Sequence, residues 1–208
     1  DMEVLLMNDG STDGSLAICR EYEEKDLRFR TIDKENTGVS DTRNQAMLLA
    51  RGTYLQFLDS DDWLTPDATE SLAEAARADD CDLVVADFYR VNGKRYVEKK
   101  HIKKTHVMTR EEFAMEMAED PADFYYGVMW NKLYRKSILL EHQIQCDTSM
   151  NWCEDFVLNL QMIRHAERFR ALQKPIYYYM KRKGSLVSTE AVSTEAVKVK
   201  FELLEKYR

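Results

Sequence analysis

The sequence predicts an α/β fold in which helices cover both faces of a mostly parallel sheet. Short apolar runs alternate with helical patterns over residues 1–90, and turn or cap residues separate them. An Asn-Gly pair then predicts a small antiparallel excursion, and a charged, amphipathic segment predicts a C-terminal helix. With 208 residues, 44% hydrophobic, and only 7 Gly and 3 Pro, a disordered or collagenous chain is excluded.

The first part of the chain alternates strands with helices. Glu3–Met7 is an apolar run typical of a parallel strand covered on both faces, and a helix follows it to about Lys25. Further strands are predicted at Arg28–Asp33, Thr53–Leu58 and Asp82–Phe88, with helices around Ala46–Ala50 and after Thr65-Pro66.

The pattern changes after about residue 90. Asn92-Gly93 lies between two short strands and predicts a hairpin, while Thr109 to Glu112 has the spacing of a capping box. The later elements are predicted at Trp130–Tyr134 (strand), Cys153–His165 (helix), Phe169–Leu172 and Ile176–Met180 (strands), and 188–208 (helix). We expect one domain with three parts, 1–90, 91–187 and 188–208.

Charge and cysteine content exclude several classes. The formal net charge of −7 argues against a nucleic-acid binder held by phosphate neutralisation. The four cysteines include no CxxC pair, so we expect reduced thiols rather than a zinc site or a disulfide framework. Because we find neither a long apolar run nor a signal sequence, we expect a cytoplasmic protein, with peripheral membrane contact open through the basic segment 99–104.

A polar, glycine-containing loop, Asn8–Ser15, follows the first strand. In open α/β sheets ligands bind beyond the carboxyl ends of the strands, so a nucleotide site is one interpretation and a capped turn is the other. The spacing also resembles the start of a calcium-binding EF-hand loop. The twelfth position, however, is Arg20 instead of an acid, which excludes that site.

Two acidic clusters suggest further chemistry. Asp59, Asp61 and Asp62 follow an apolar strand, and hard oxygen ligands beside a phosphate site suit Mg²⁺ or Mn²⁺, although a capped turn is the simpler alternative. Glu154 and Asp155 open a predicted helix, whose dipole favours ionised acids, so they are either ordinary first-turn residues or a general base.

Basic residues follow the last predicted strand. The segment Lys181–Ser188, with Trp130-Asn131-Lys132 upstream, could stabilise a departing pyrophosphate, or could be solvated surface. Tyr177–Tyr179 could stack on a sugar, although alternating aromatic residues in a strand more often pack in the core.

Taken in order, these motifs resemble the family-2 glycosyltransferases of the GT-A fold, especially bacterial enzymes that build capsule, lipopolysaccharide or wall glycans. The matching stretches are EVLLMNDGSTDGS, ENTGVSDTRNQAMLLARGTYLQFLDSDDWLTP, WNKLYRKSIL, NWCEDF and YYYMKRKGSLVS. The resemblance implies inverting transfer of a sugar from a nucleotide-diphosphate donor, usually a UDP-sugar, to a glycan or lipid-linked acceptor, with Mn²⁺ or Mg²⁺.

The resemblance also implies a role for each matched position. The nucleotide would contact Asn8, Asp9, Ser11, Arg43 and Asp59, with Asp9 on the base and Arg43 near the base or diphosphate. The metal would bind Asp61, with Asp59 beside it and Asp62 as a second candidate ligand. Asp155 would be the general base, with Glu154 as the alternative.

Two further groups complete the expected site. Lys181, Arg182 and Ser185 would face the diphosphate on a closing loop, and Trp130, Asn131 and Lys132 would lie on the acceptor side. Family members usually begin with an earlier strand and helix that this sequence does not contain. We therefore expect an unpaired strand edge, which favours self-association or pairing with another chain. A non-catalytic sugar-nucleotide-binding module and a nucleotidyltransferase stay open as alternatives.

Overall fold

A computed structural model describes residues 1–120, 123–150 and 152–181 and the single positions 198, 202 and 205. The strands are β1 (Val4–Asp9), β2 (Phe29–Lys34), β3 (Tyr54–Gln56), β4 (Trp63–Leu64), β5 (Leu83–Asn92), β6 (Arg95–Lys99), β7 (Lys132–Arg135) and β8 (Phe169–Met180). The helices are α1 (Ser15–Lys25), α2 (Val39–Leu49), α3 (Ala68–Ala78), α4 (Arg110–Glu119), α5 (Phe124–Gly127), α6 (Lys136–Glu141) and α7 (Glu154–His165). This interleaving confirms the α/β class.

The described strands form two sheets instead of one. β1 and β2 pair in parallel, with Val4 opposite Phe29 and Asp9 opposite Lys34. The other six strands form the larger sheet. Five of them pair in the order β3-β7-β5-β8-β4, and β6 pairs with the C-terminal half of β5. The loops after β1 and β3 therefore leave two different sheets, whereas the sequence predicted a single sheet.

The larger sheet is mixed. Its β5/β8 pair is parallel, but β7 runs antiparallel to both β3 and β5, and β4/β8 and β5/β6 are antiparallel too. The predicted mostly parallel pairing is wrong for this sheet, because the regular strand-helix alternation stops after β5. The chain then returns through α4 and α5 and inserts β7 between two earlier strands, a placement that local sequence patterns do not specify.

Several local predictions are confirmed. Asn92 and Arg95 close the β5/β6 hairpin, and Thr109 and Glu112 form a capping box at the start of α4. One prediction is wrong: the two short strands expected around Pro175 are one strand, β8. Pro175 is tolerated there because it lies at a register shift of the β5/β8 pair, where regular ladder hydrogen bonding is interrupted.

The hydrophobic core lies between the larger sheet and its helices. Leu72 and Ala76 of α3, Val84 of β5, and Leu158 and Met162 of α7 are fully buried. None of the described helices is both long and apolar enough to cross a membrane. No disulfide links the four cysteines, all of which the structure describes.

The predicted C-terminal helix, 188–208, lies outside the described residues except at three positions. These are Lys198, Glu202 and Glu205, which are helical and exposed. Their spacing of four and three residues places them on one face of a helix.

Candidate functional site

The loop after β1 is held in place by the carboxylate of Asp9. Its Oδ1 accepts hydrogen bonds from the Lys34 ammonium and from the Thr37 amide at 2.9 Å, and its Oδ2 accepts one from the Gly38 amide at 3.0 Å. Burial opposes ionisation, but these donors outweigh it and lower the pKa of Asp9. Asp9 is therefore an ionised carboxylate that joins β1 to the start of α2.

Gly10 brings the same loop against the segment after β2. Its φ is +67°, and a Cβ placed there would lie 2.7 Å from the backbone nitrogen of Asn36, so only glycine fits. Asn8 is buried and donates to Asp33 Oδ1 at 2.7 Å. Ser11 is exposed. Of the three predicted loop residues, Asn8 and Asp9 shape the loop and Ser11 faces solvent.

Arg43 connects three carboxylates from distant parts of the chain. It lies on α2 and contacts Asp59, in the loop after β3, at 3.2 Å. It also contacts Glu154 at 3.2 Å and forms a close ion pair with Asp155, both in the first turn of α7. We refer to these four residues as the Arg43 cluster. The family resemblance implies that Arg43 lies near the donor, and the structure adds that it contacts both candidate general bases.

Burial changes the acid-base behaviour of Asp155. Burial, together with the nearby Glu154 and Asp59 carboxylates, raises the pKa of Asp155 to about 7, although the Arg43 and Lys132 cations act to lower it. The helix dipole by itself favours an ionised carboxylate near neutral pH. Desolvation of the Asp155 carboxyl acts in the opposite direction. The result is a carboxyl group that exchanges its proton close to neutral pH.

The acidic loop after β3 is anchored to β8. Asp62 accepts hydrogen bonds from the Tyr177 hydroxyl at 2.8 Å and from the Met180 amide at 2.7 Å. The same Tyr177 oxygen accepts a hydrogen bond from the Asp59 amide at 3.2 Å. Burial raises the pKa of Asp62 to about 6. Asp61 is exposed at the outer side of the loop.

The acidic loop carries carboxylates of the chemical type that binds divalent cations. Among the described residues, no three His, Cys, Asp or Glu side chains are grouped closely enough to hold an ion by themselves. Asp59 and Asp61 supply two carboxylates, and Mg²⁺ characteristically binds through one or two carboxylates together with substrate phosphates. Asp62 already accepts two hydrogen bonds from β8, which leaves it less available as a ligand.

Trp130, Asn131 and Lys132 are not an acceptor surface. All three are at most 2% exposed. Lys132 Nζ donates to the Tyr125 carbonyl at 2.9 Å, the Val128 carbonyl at 2.5 Å and Asn131 Oδ1 at 2.8 Å. The predicted acceptor-side role is therefore corrected to an internal one: burial and these hydrogen bonds fix the segment before β7.

The basic segment after β8 is described only at its first residue. Lys181 is exposed, and its amide donates to the Val91 carbonyl at 3.0 Å. Arg182 and Ser185, predicted to face the diphosphate, lie outside the described residues, as does Asn151 before α7.

Sequence reasoning missed two residues that organise the site. Lys34 donates to both Asp9 and the Glu35 carbonyl, and Tyr177 connects Asp59 to Asp62. A lysine at the end of the strand beside β1 was a signal for Lys34, because parallel neighbours end at the same sheet edge. Tyr177 gave no signal of its own within its run of tyrosines.

Comparison with known proteins identifies the family. The model for "Glycosyl transferase family 2" matches residues 1–142, more than half of the chain. The chain belongs to glycosyltransferase family 2. It is 31% identical to the uncharacterized glycosyltransferase EpsJ of Bacillus subtilis strain 168, over 89% of this chain and 54% of EpsJ. It is 32% identical to glycosyltransferase GlyA of Streptococcus pneumoniae, over 89% of this chain and 27% of GlyA.

Solved structures agree with this family assignment. Residues 1–349 of Staphylococcus aureus TarS in complex with UDP-GlcNAc superpose with a TM-score of 0.77 at 25% identity, over 99% of this chain and 56% of that structure. The family-2 chain described here thus spans about half the length, or less, of these relatives. The match to the TarS fold confirms the Rossmann-like GT-A architecture.

Proposed function

We propose that this chain carries the donor site and the general base of an inverting glycosyltransferase. The enzyme would move a sugar from a nucleotide-diphosphate donor, with UDP as the nucleotide, to a hydroxyl of a glycan or lipid-linked acceptor. One observation carries the proposal: Arg43 joins Asp59 of the acidic loop to Asp155 and Glu154 of α7. A donor-side loop and a buried acid therefore meet at one side chain. The UDP-GlcNAc complex of TarS supports a nucleotide-sugar donor.

Asp155 is the proposed general base. A base works best when its pKa lies near the operating pH, and burial raises the pKa of Asp155 to about 7. Its carboxylate would take the proton of the acceptor hydroxyl while that oxygen attacks the anomeric carbon and the nucleotide diphosphate leaves from the opposite face. One displacement of this kind inverts the anomeric centre and needs no covalent enzyme intermediate. Glu154, which shares Arg43, is the alternative base.

The loop after β1 would bind the nucleotide. Asp9 is ionised and already oriented by Lys34 and the α2 amides, and a carboxylate has about four acceptor sites, so it can also accept a hydrogen bond from the base. Asn8 supports this loop from β2, and Ser11 is exposed where a ligand would arrive.

The acidic loop would hold Mn²⁺ or Mg²⁺ at Asp61 and Asp59, with Asp62 in second line. When bound, such an ion neutralises negative charge on the departing diphosphate. Lys181 would add positive charge at the end of β8, together with Arg182 and Ser185. Arg43 would orient the Asp59 and Asp155 carboxylates in this site.

The proposal is tested by donor binding and turnover with matched variants. Calorimetry with UDP and UDP-GlcNAc, with Mn²⁺ and with a chelator, measures binding, and release of UDP measures turnover. Asp155→Asn should bind donor as the wild type does but lose turnover. Asp26→Asn, which alters a surface pair with Arg28, should retain both.

Other outcomes would refute parts of the proposal. Release of pyrophosphate instead of UDP would indicate a nucleotidyltransferase. Donor binding without turnover in any acceptor mixture would indicate a non-catalytic binding module. Failure of a folded sample to bind any nucleotide would refute the donor site itself.

A further inference from the structure

Four aromatic side chains form a row on one face of the larger sheet, next to the acidic loop. Trp63 lies directly opposite Tyr178 in the β4/β8 pair, and Tyr178 lies opposite Tyr89 in the β5/β8 pair. Their rings stack, with centroids 5.2 Å apart for Trp63 and Tyr178 and 4.7 Å apart for Tyr178 and Tyr89. Tyr96 of β6 extends the row, with its ring 5.2 Å from that of Tyr89. We name these four residues the aromatic platform.

The aromatic platform faces away from the core. Side chains alternate along a strand, and in β8 Tyr177 and Tyr179 point inward, where both stack on the buried Trp130. Tyr178 between them therefore points to the opposite face. At the two ends of the platform, Trp63 is 44% exposed and Tyr96 is 62% exposed. Contiguous exposed aromatic surface of this kind marks an interaction site more often than isolated exposed residues do.

The platform is continuous with the candidate active site. Trp63 directly follows Asp62 in the chain. Asp62 accepts hydrogen bonds from Tyr177, which directly precedes Tyr178 in β8, and from Met180, two residues after Tyr178. The row then crosses four strands, and its last ring, that of Tyr96, turns back to lie 6.2 Å from the ring of Tyr178. A molecule lying along it would have one end at the acidic loop and would extend away from it.

The composition of the platform indicates a sugar rather than an aliphatic partner. Pyranose rings have C–H groups on their faces and hydroxyls around their edges, and tyrosine and tryptophan likewise combine an apolar ring with a polar tip. A charged side chain on this surface, Glu98 opposite Tyr89, is paired with Lys100 at 3.4 Å. Because Tyr178 stacks on both Trp63 and Tyr89, the ring surface left for a sugar is that of the exposed Trp63 and Tyr96. Glu98 adds no unpaired charge to this surface.

We propose that the aromatic platform binds the sugar rings of the acceptor glycan by stacking and leads its reactive end to the acidic loop. This inference rests on the proposed function, because it makes the bound glycan the acceptor of the transfer. It assigns acceptor contact to Trp63 and Tyr96, in place of the buried side chains of the segment before β7.

The test measures binding of neutral oligosaccharides to the full 208-residue chain. Calorimetry with chitotetraose, cellotetraose and maltotetraose should detect binding of at least one of them, and binding should be weaker for the corresponding monosaccharide. Trp63→Ala and Tyr96→Ala should each weaken that binding by about tenfold, the effect of losing one stacked ring. Trp63→Phe keeps a ring and should retain most of the affinity. Tyr22→Ala, which removes a 49% exposed tyrosine from α1, is the matched control and should change nothing.

UDP binding by the same variants separates this inference from the proposed function. Trp63→Ala and Tyr96→Ala should bind UDP as the wild type does. Wild-type protein that binds UDP but none of the oligosaccharides would overturn the platform and leave the proposed function standing. Unchanged oligosaccharide affinity in Trp63→Ala and Tyr96→Ala would do the same.

Two further outcomes are decisive. Oligosaccharide binding through the platform without any UDP binding would refute the proposed function while supporting a glycan-binding surface. A dimer in sedimentation experiments that Tyr96→Ala dissociates would show that a second copy of the chain covers the platform, and would overturn the acceptor proposal.

Discussion

Replacing Arg43 with alanine should destabilise the protein by about 3–5 kcal/mol, the usual effect of removing one partner from a buried ion pair. The substitution leaves Glu154 and Asp155 close together at the start of α7 without their cation. It also removes the only described side chain that contacts the Asp59, Glu154 and Asp155 carboxylates together. The same change therefore tests whether the Arg43 cluster holds the site together.

The magnitude follows from how exposed each partner is. The Arg43 side chain is 14% exposed, and those of Glu154 and Asp155 are 16% and 20% exposed, so water screens these two contacts only weakly. The Asp59 side chain is 35% exposed, so its contact counts as a surface pair of about 0–1 kcal/mol. The two α7 contacts therefore account for most of the loss, out of about 5–15 kcal/mol of total stability for a typical domain.

The loss should depend on pH. Burial raises the pKa of Asp155 to about 7, whereas its pKa in the unfolded chain is about 4. The protonated Asp155 side chain therefore contributes fully to the free energy of unfolding below about pH 4, and this contribution is lost as the pH rises through about 7. Arg43 opposes this loss by favouring the ionised form. Removing Arg43 should therefore cost more at pH 8, where Asp155 is ionised, than at pH 5, where it is largely protonated.

Urea unfolding followed by circular dichroism at pH 5 and pH 8 is the assay. Arg43→Lys keeps the positive charge but not the planar set of N–H donors, so its free energy of unfolding should lie between those of the wild type and Arg43→Ala. Adding Asp155→Asn to Arg43→Ala should recover about 1–3 kcal/mol relative to additivity, because it removes one unpaired carboxylate. A loss below 1 kcal/mol at pH 8, or an equal loss at both pH values, would refute the reasoning.

Three further predictions concern the loops, the core and the chemistry. Gly10→Ala should destabilise the protein by about 1–3 kcal/mol and weaken UDP binding, because φ at Gly10 is +67° and Asn36 blocks the Cβ. Gly14→Ala, where a Cβ meets no neighbour, should change urea unfolding little. Equal effects of the two substitutions would contradict this prediction. Lys132→Met should cost about 1–3 kcal/mol in the same assay, because it removes three buried hydrogen bonds and leaves Asn131 Oδ1 without its ammonium donor, and a neutral result would contradict it. UDP release should rise between pH 5.5 and 8 with a midpoint near 7 as Asp155 ionises, and a midpoint near 4 would contradict its role.

The sequence alone predicted much of the local structure and the chemical groups of the site. The loop after β1, the acidic loop after β3, the hairpin at Asn92-Gly93 and the Glu154-Asp155 pair at the start of α7 all lie where expected. These features depend on turn residues, capping residues and strand length. Such preferences act over a few neighbouring residues, so they can be recognised without any knowledge of the fold.

Only the tertiary structure decided which of these groups meet. Arg43 pairs with carboxylates 16, 111 and 112 residues away, and Tyr177 contacts Asp62 across 115 residues. It also decided that Tyr178 points outward to the platform while Tyr177 and Trp130 stack in the interior. Local spacing does not specify such contacts, because they depend on strand order and on which face of a sheet is buried. Those are properties of the packed chain as a whole: burial sets the acidity of Asp155, and strand register sets the row of aromatic rings.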